Sequence, residues 1–334
     1  MSIKGRFDRF TNNIRPTDDH IAEANRQTDY MKARLHDTIV EDGSFKLEKI
    51  LLAGSNAKHT SLRKTKENRF DVDLNAVYSG EGARKDALDK LLYFTRDRLV
   101  EIYYQKDEKD FEVLKSAVRV KFTSGIQLWV DVAPIIKDDS LSVENAGWIP
   151  RPDGTWRLTS VTAHSEFVLS RTQASKKVPG PVRFNRLVRL VKWWNNLQGD
   201  LTQPSIFCEL VAAAAVREAG GVTEEWQTAI RQVFTFLRRH GLREPIVFDD
   251  NYDPQKMSLA TGTVVVLDPV NPENNITAAW TERTRTDFLD RVQDAYDITV
   301  AAWSAEADGD EDEAVDHWCE LFGDAFRALS EEED

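Results

Sequence analysis

The sequence is poor in the residues that build disulfide frameworks, zinc clusters and membrane anchors. Its 334 residues include two cysteines, Cys208 and Cys319, and six histidines that are scattered without ligand spacing. No apolar run approaches the roughly 20 residues that cross a bilayer, and the N-terminal segment lacks the apolar stretch of a signal peptide. These absences exclude a disulfide-stapled secreted domain, a zinc-cluster protein and a transmembrane protein, and they predict a cytoplasmic location.

Acidic residues are missing from one long stretch and concentrated in another. Residues 306–334 hold 13 of the 56 acids and only one of the 44 bases, so the formal net charge of −12 belongs to the C-terminal end and the rest of the chain is neutral. Residues 167–199 contain no acid and seven bases: Arg171, Lys176, Lys177, Arg183, Arg186, Arg189 and Lys192. This acid-free stretch suits a polyphosphate ligand better than a neutral one.

The apolar pattern predicts a small mixed sheet followed by a helical region. Thr17 is placed as the N-cap of a long amphipathic helix, and residues 47–53 are predicted to form a strand that ends at a Gly-Ser pair. FDVDLNAVY alternates as a second strand, and residues 117–136 are typical of a hairpin that turns at Thr123-Ser124-Gly125. Beyond about Thr162 the pattern is mainly helical.

These elements predict an α+β fold with two lobes and a ligand-binding cleft between them. We place the sheet lobe, with its long N-terminal helix, at residues 1–160 and the helical lobe at residues 161–330. Residues 331–334 are predicted to form an acidic tail.

Two aspartates share one face of the strand FDVDLNAVY. Side chains alternate along a strand, so Asp71, Asp73 and Asn75 point one way while Val72 and Leu74 point into a core. Neighbouring carboxylates repel each other unless a cation or a proton lies between them. For a lone aspartate pair, however, a half-exposed strand with solvated acids is the simpler interpretation.

A third aspartate favours a metal site. Asp131 is the isolated acid of the apolar strand IQLWVDVAPII, and a buried carboxylate without a partner is costly, so we expect it to have a ligand. If its strand lies beside the first, three carboxylates converge. Together they can hold two magnesium ions about 3.5–4 Å apart, the arrangement used for phosphoryl or nucleotidyl displacement.

A Gly-Ser pair closes the first strand. Glycine lets the backbone approach a phosphate, while amide groups and the hydroxyl of Ser55 donate to its oxygens. Such a dipeptide usually marks only a turn. Because Gly54 and Ser55 precede the aspartate strand, we interpret them as a candidate phosphate-binding loop.

These motifs resemble a known superfamily. GSNAKHTSL, DVDL and LWVDVAPI are similar to the nucleotidyltransferase core of the DNA polymerase β superfamily. NRLVRLVKWWNN, PSIFCELVAAAA and VVVLDPVNPENNIT resemble the helical lobe of oligoadenylate synthetases and cyclic GMP–AMP synthase, whose bacterial relatives are the CD-NTases of CBASS anti-phage systems. The resemblance covers about residues 2–326. It implies a polymerase β-like core with a C-terminal helical lobe and an active site in the cleft between them.

The resemblance implies roles for the motif residues of the sheet lobe. Gly54 and Ser55 match the residues that hold the donor triphosphate. Asp71 and Asp73 match the aspartates that bind both catalytic metals, and Asp131 matches the one that completes the metal activating the attacking hydroxyl. The implied cofactor is Mg²⁺, as two ions, with Mn²⁺ able to substitute.

Lys192 and Ser205 match the lysine and serine that contact the triphosphate from the helical lobe. Lys192 flanks the apolar stripe of its predicted helix, where its stem can pack and its ammonium group can reach a ligand. Ser205 follows Pro204 in the first turn of the next helix, where free amides favour an anion. A surface lysine and a capping serine account for either residue taken singly.

The resemblance implies a cyclic di- or trinucleotide synthase that uses nucleoside triphosphates, ATP among them, and releases pyrophosphate. A downstream effector would recognise the product. The sequence predicts no membrane partner. It also predicts no long nucleic acid, because the cysteine-rich zinc loop of animal cyclic GMP–AMP synthase is absent. Asp334 is not the small terminal residue that C-terminal conjugation needs in this family, so we predict no conjugation.

Two other functions stay open from the sequence. A template-independent RNA nucleotidyltransferase of the CCA-adding or poly(A) type shares the Gly-Ser and Asp-x-Asp motifs, although this chain leaves little room for a further RNA-binding domain. A non-catalytic nucleotide-binding protein could use the same fold, but it would not need all three aspartates.

Overall fold

The computed structural model describes residues 1–39, 45–65, 70–80, 82–140, 145–150 and 155–331. Their contacts define two compact units. The sheet unit comprises the described residues of Pro16–His59 and Arg69–Glu166, and the helical unit comprises residues 1–15, 60–65 and 167–331. No helix in these ranges is long and apolar enough to cross a membrane.

The sheet unit contains a mixed sheet in the order β1-β2-β5-β4-β3, with β6 on β5 and β7 on β6. The strands are β1 (Lys46–Ala53), β2 (Asp71–Ser79), β3 (Phe111–Val113), β4 (Val118–Phe122), β5 (Leu128–Lys137), β6 (Ala146–Pro150) and β7 (Trp156–Ser160). Among these seven described strands, the β2–β5 pair is parallel and the other pairs are antiparallel. This confirms the predicted α+β class, its mixed sheet and the hairpin between β4 and β5.

Two long helices cover one face of the sheet. They are α2 (Asp18–Ile39) and α4 (Leu88–Ile102), and the short helix α3 (Gly54–Ala57) follows β1. The backbone N–H of His20 donates to Thr17 Oγ1, so Thr17 is the N-cap of α2 as predicted. Apolar side chains of α2 and α4 pack with Val72 and Leu74 of β2 in one core. Because the core takes one face of β2, the aspartates are left on the other.

The helical unit is built on a large apolar core. Its helices are α1 (Ile3–Asn13), α6 (Phe184–Asn196), α7 (Ser205–Glu218), α8 (Trp226–His240), α9 (Glu282–Ala307), α10 (Glu311–Phe322), α11 (Ala325–Glu331) and most of α5 (Val161–Ser175). The last two helices, α10 and α11, are separate. Gly323 separates them, because its φ of 74° lies in the left-handed region that ends helices.

The first residues of the chain pack with the helical unit. Phe7 and Phe10 lie 5.0 and 5.1 Å, between ring centroids, from Phe326 of α11. Glu331 is the last residue of α11, and its carboxylate accepts a hydrogen bond from Arg6 at 2.9 Å. Residues 332–334 of the predicted tail lie outside the described residues. The packing units therefore differ from the predicted division at the N-terminus, and the boundary after residue 160 stays a prediction.

Candidate active site

The parallel pair of strands brings two of the predicted aspartates side by side. Asp73 of β2 is the register partner of Asp131 of β5, and Asp71 is the partner of Trp129. Partners on neighbouring strands share a face of the sheet, so all three aspartates lie on the face opposite the core. Asp131 is 8% exposed, whereas Asp71 is exposed and Asp73 is half-buried. The expectation that the two strands are neighbours is confirmed.

Gly54 fits closely against Asp73. Its φ of +61° is unfavourable for residues with a side chain, and a Cβ at this position would lie 1.8 Å from Asp73 Oδ2. Both the turn and the close approach therefore require glycine. The backbone after β1 thus runs directly against one of the site carboxylates.

Ser55 lies in the first turn of α3, immediately after that glycine. The next residue, Asn56, fixes this turn to the aspartate strand, because its side-chain amide donates to the Asp71 carbonyl oxygen at 2.8 Å. The sheet unit therefore brings together Gly54, Ser55 and the aspartates of β2 and β5, all of them predicted site residues. Asn56 was not predicted, and a lone asparagine in a turn gives little signal.

Asp131 has a cationic partner in the chain. Arg119 lies directly opposite it on β4, and its Nε and Nη2 atoms donate to Asp131 Oδ1 and Oδ2, each at 2.7 Å. This fork-to-fork pair is a strong form of charge-assisted hydrogen bonding. The buried carboxylate thus has a partner within the chain, and the expected metal ligation by Asp131 stays a prediction.

The Arg119 side chain is held from several sides. Its guanidinium carbon lies 4.2 Å from the centroid of the Trp129 ring. The hydrogen bonds to Asp131 raise its pKa, and the charges of Glu112 and Asp71 act in the same direction. Arg119 is therefore fixed as a cation beside the site carboxylates.

The donor set fits a hard divalent cation. Carboxylate oxygens are the ligands that Mg²⁺ prefers, and three aspartates on one sheet face supply them. Each oxygen that accepts from Arg119 keeps a further lone pair. In the described residues, however, no three His, Cys, Asp or Glu side chains are gathered closely enough to enclose an ion. The residue types and strand register thus suit the metal, while the side chains are not drawn together around it.

Lys192 lies inside the helical unit. It is 4% exposed, and its ammonium group donates to the Thr60 carbonyl oxygen at 2.9 Å. The Thr60 hydroxyl donates to Glu209 of α7 at 3.4 Å. Leu190 and Val191 of the same helix are buried as well, and the role of Lys192 as a phosphate ligand stays a prediction.

Ser205 is the first residue of α7 and is exposed. Pro204, the N-cap, makes no side-chain capping bond, so nothing from that position caps the first amides of the helix. This is the position that the sequence predicts for Ser205. Its role as a phosphate ligand stays a prediction.

Comparison with known proteins places the chain among nucleotide cyclases. The family model of the second messenger oligonucleotide or dinucleotide synthetase domain matches residues 1–170. The CBASS oligonucleotide cyclase CdnC of Escherichia coli strain KTE188 is 31% identical over 305 residues, covering 91% of this chain and 90% of that protein. The cyclic AMP-AMP-AMP synthase of E. coli strain MS 115-1 is 29% identical over 90% of each chain.

Solved structures agree with this placement. The structure of E. coli MS115-1 CdnC with ATP superposes with a TM-score of 0.79 and is 27% identical, covering 98% of this chain and 99% of that chain. The likeness thus extends over both the sheet unit and the helical unit.

Proposed function

Because the chain belongs to the second messenger oligonucleotide or dinucleotide synthetase family, the CD-NTases of CBASS antiviral defence, we propose that its sheet unit carries out the nucleotidyl transfer. The protein is a nucleotidyltransferase that makes a cyclic oligonucleotide from nucleoside triphosphates. In this reaction a ribose hydroxyl of one nucleotide attacks the α-phosphate of another, pyrophosphate leaves, and a later transfer closes the ring.

Asp71, Asp73 and Asp131 are the residues that would hold the divalent metals. Two bound Mg²⁺ ions would supply an activated hydroxyl and neutralise the charge that develops on the phosphate. Asp73 and Asp131 are suited to this task by their register on parallel strands, and Mn²⁺ has the same preference for oxygen ligands.

Gly54 and Ser55 would bind the donor triphosphate. The left-handed conformation of Gly54 turns the backbone beside Asp73, where amide groups can donate to phosphate oxygens. Arg119 would orient the Asp131 carboxylate, since its two hydrogen bonds fix the plane of that group. We therefore assign Arg119 as a positioning residue.

Lys192 and Ser205 would bind the β- and γ-phosphates. The Lys192 ammonium group donates to the Thr60 carbonyl oxygen, which fixes the position of this cation within the helical unit. Ser205 would offer its hydroxyl together with the first amides of α7.

ATP is the substrate that we propose first. The relatives include a cyclic AMP-AMP-AMP synthase, and one solved structure of CdnC carries ATP. We propose that the enzyme acts in the cytoplasm and that a separate effector recognises its product.

The observation that carries this proposal is the Asp73–Asp131 register beside Gly54. Purified protein should be incubated with labelled ATP, GTP, CTP and UTP and Mg²⁺, and then treated with phosphatase. A labelled product that resists phosphatase is expected, because a ring has no terminal phosphate.

Asp131→Asn protein should form none of this product. Linear, phosphatase-sensitive chains would instead indicate an RNA nucleotidyltransferase. Binding of nucleotide without turnover in the presence of Mg²⁺ would indicate a non-catalytic protein.

A further inference from the structure

One arginine of the helical unit is buried without a compensating charge from any described residue. Arg189 of α6 is 6% exposed, and its Nε atom has no hydrogen-bond partner among the described residues. Within the same ranges no carboxylate forms an ion pair with it or acts on its pKa. Lys192, one turn further along α6, is buried as deeply but donates to Thr60.

Among the described residues, the charges that act on Arg189 are cationic. Burial and, to a smaller extent, repulsion from Arg186 and Arg15 together lower its pKa to about 9. Asp8 is the acid that acts on Arg186, and it has no such effect on Arg189. At pH 7 the Arg189 guanidinium group keeps its proton, so three cations face one another here.

The fold accounts for this proximity. Arg186 and Arg189 are three residues apart, so they are neighbours on the surface of α6. Arg15 lies two residues beyond the end of α1. This helix packs on α6 through Phe10 and Trp193, with 5.8 Å between their ring centroids. Two helices therefore converge on one cationic cluster.

Such a cluster is costly unless an anion compensates it. An unpaired buried charge loses its hydration without gaining a partner, and like charges nearby add repulsion. Where Asp131 is buried in the sheet unit, Arg119 compensates it with two hydrogen bonds. The helical unit has no equivalent around Arg189 in the part of the chain that the structure describes.

We propose that Arg15, Arg186 and Arg189 form a binding site for a phosphate group. Guanidinium forks match phosphate oxygens, and one phosphate group has enough oxygen atoms to accept from more than one guanidinium group. This assignment goes beyond the triphosphate contacts proposed for Gly54, Ser55, Lys192 and Ser205. The phosphate could belong to a bound nucleotide or to a free anion such as pyrophosphate, the by-product of the reaction.

The test uses the full chain in EDTA, so that the metal-dependent reaction does not contribute. Thermal unfolding and calorimetric titration should be measured with sodium pyrophosphate, ATP and AMP, against sodium chloride at equal ionic strength. We expect pyrophosphate, ATP or both to raise the melting temperature of the wild-type protein above the chloride control.

Arg189→Met should reduce this stabilisation and weaken binding at this site at least about tenfold. Without anion, the variant should melt no lower than wild type, because an uncompensated charge has been removed. Arg186→Gln should weaken binding as well, and it serves if Arg189→Met does not fold. Lys176→Gln removes an exposed charge of the same unit and should bind like wild type.

The proposal is overturned if no phosphate compound stabilises wild type beyond chloride, or if both arginine variants keep wild-type binding. If ATP and pyrophosphate compete and both depend on Arg189, the phosphate group is that of the nucleotide. If pyrophosphate binds and ATP does not, the ligand is a free anion. Product synthesis by the wild-type protein with Mg²⁺ tests the proposed function separately, because that assay does not depend on the outcome of the binding measurements in EDTA.

Discussion

Asp131 in the sheet unit and Arg189 in the helical unit are buried charges of opposite sign. They are 8% and 6% exposed. The aspartate accepts two hydrogen bonds from a facing arginine, whereas the arginine is surrounded by further cations. The first charge is compensated by Arg119, whereas the described part of the chain supplies no counter-charge to the second. Burial of a charge alone therefore does not identify a binding site. The presence or absence of a counter-charge among the surrounding residues distinguishes the two cases.

The largest expected effect is the loss of turnover in Asp131→Asn and Asp71→Asn. Each should lose about a thousandfold or more, because the metal site contributes several kcal/mol of barrier lowering. Only Asp131→Asn should also lose stability, by about 3 kcal/mol, because it leaves Arg119 without its counter-charge.

Product formation and urea unfolding measure these two effects. Near-normal turnover in either variant would contradict the metal assignment. Equal stability of the two variants would contradict the importance of the Arg119 pair.

Arg119→Met should cost about 3 kcal/mol of unfolding free energy, because Asp131 stays buried and charged. Adding Asp131→Asn should restore much of this stability, since no full charge is then left unpaired. A positioning role also predicts weaker Mn²⁺ binding, measured by electron paramagnetic resonance with ATP, and partial rescue by Arg119→Lys. If the two substitutions destabilise additively, the pair is not coupled.

Gly54→Ala should disturb the site more than Gly125→Ala, although both glycines have similar φ values of +61° and +66°. Backbone strain of about 1 kcal/mol is common to both. Only at Gly54 would the new Cβ meet Asp73, since nothing lies within 4 Å of a Cβ at Gly125. Melting temperatures and turnover of the two variants measure the difference, and identical behaviour would contradict the close approach.

Lys192→Ala should weaken ATP binding more than AMP binding. Loss of a charge-assisted contact costs about 1.5–3 kcal/mol, or roughly ten- to a hundredfold in affinity. Lys176→Ala is the control, because Lys176 is exposed in the same acid-free stretch. Equal losses for ATP and AMP in calorimetric titration would reduce Lys192 to a residue that only holds Thr60.

The smallest expected effect concerns a solvent-exposed ion pair. Removing residues 331–334 deletes Glu331, which forms an ion pair with Arg6. The Glu331 side chain is 54% exposed. Such pairs contribute about 0–1 kcal/mol, so unfolding should change little and synthesis not at all. A larger loss of stability would show that the end of α11 packs more tightly than its exposure indicates.

The sequence predicted β1, β2, the β4–β5 hairpin and the long helix that begins after Thr17, because alternation and helical spacing are local signals. It did not predict Arg119. The predicted turn at Thr123-Ser124-Gly125 is centred one residue too early. In the structure the loop is centred on Gly125, which places Arg119 opposite Asp131. A shift of one residue in a hairpin changes every partner, so cross-strand contacts are lost first.

Two further features depended on tertiary packing. From the sequence we assign the first residues of the chain to the sheet lobe. In the structure, Phe7 and Phe10 pack with α10 and α11 of the helical unit. The basic residues 167–199 were recognised as a group, yet their burial was not. Only the structure distinguishes Arg189, which is buried, from Lys176, which is exposed.

The Arg119–Asp131 pair also bears on how the chain folds. If β4 slipped by one residue against β5, Val118 or Val120 would replace Arg119 opposite Asp131, and Arg119 would turn to the other face. Two charges would then be left unpaired, one of them buried in the apolar core, at a cost of several kcal/mol. Apolar neighbours tolerate such a slip more readily. The ion pair therefore favours the native register of β4 and β5 over the shifted ones during folding.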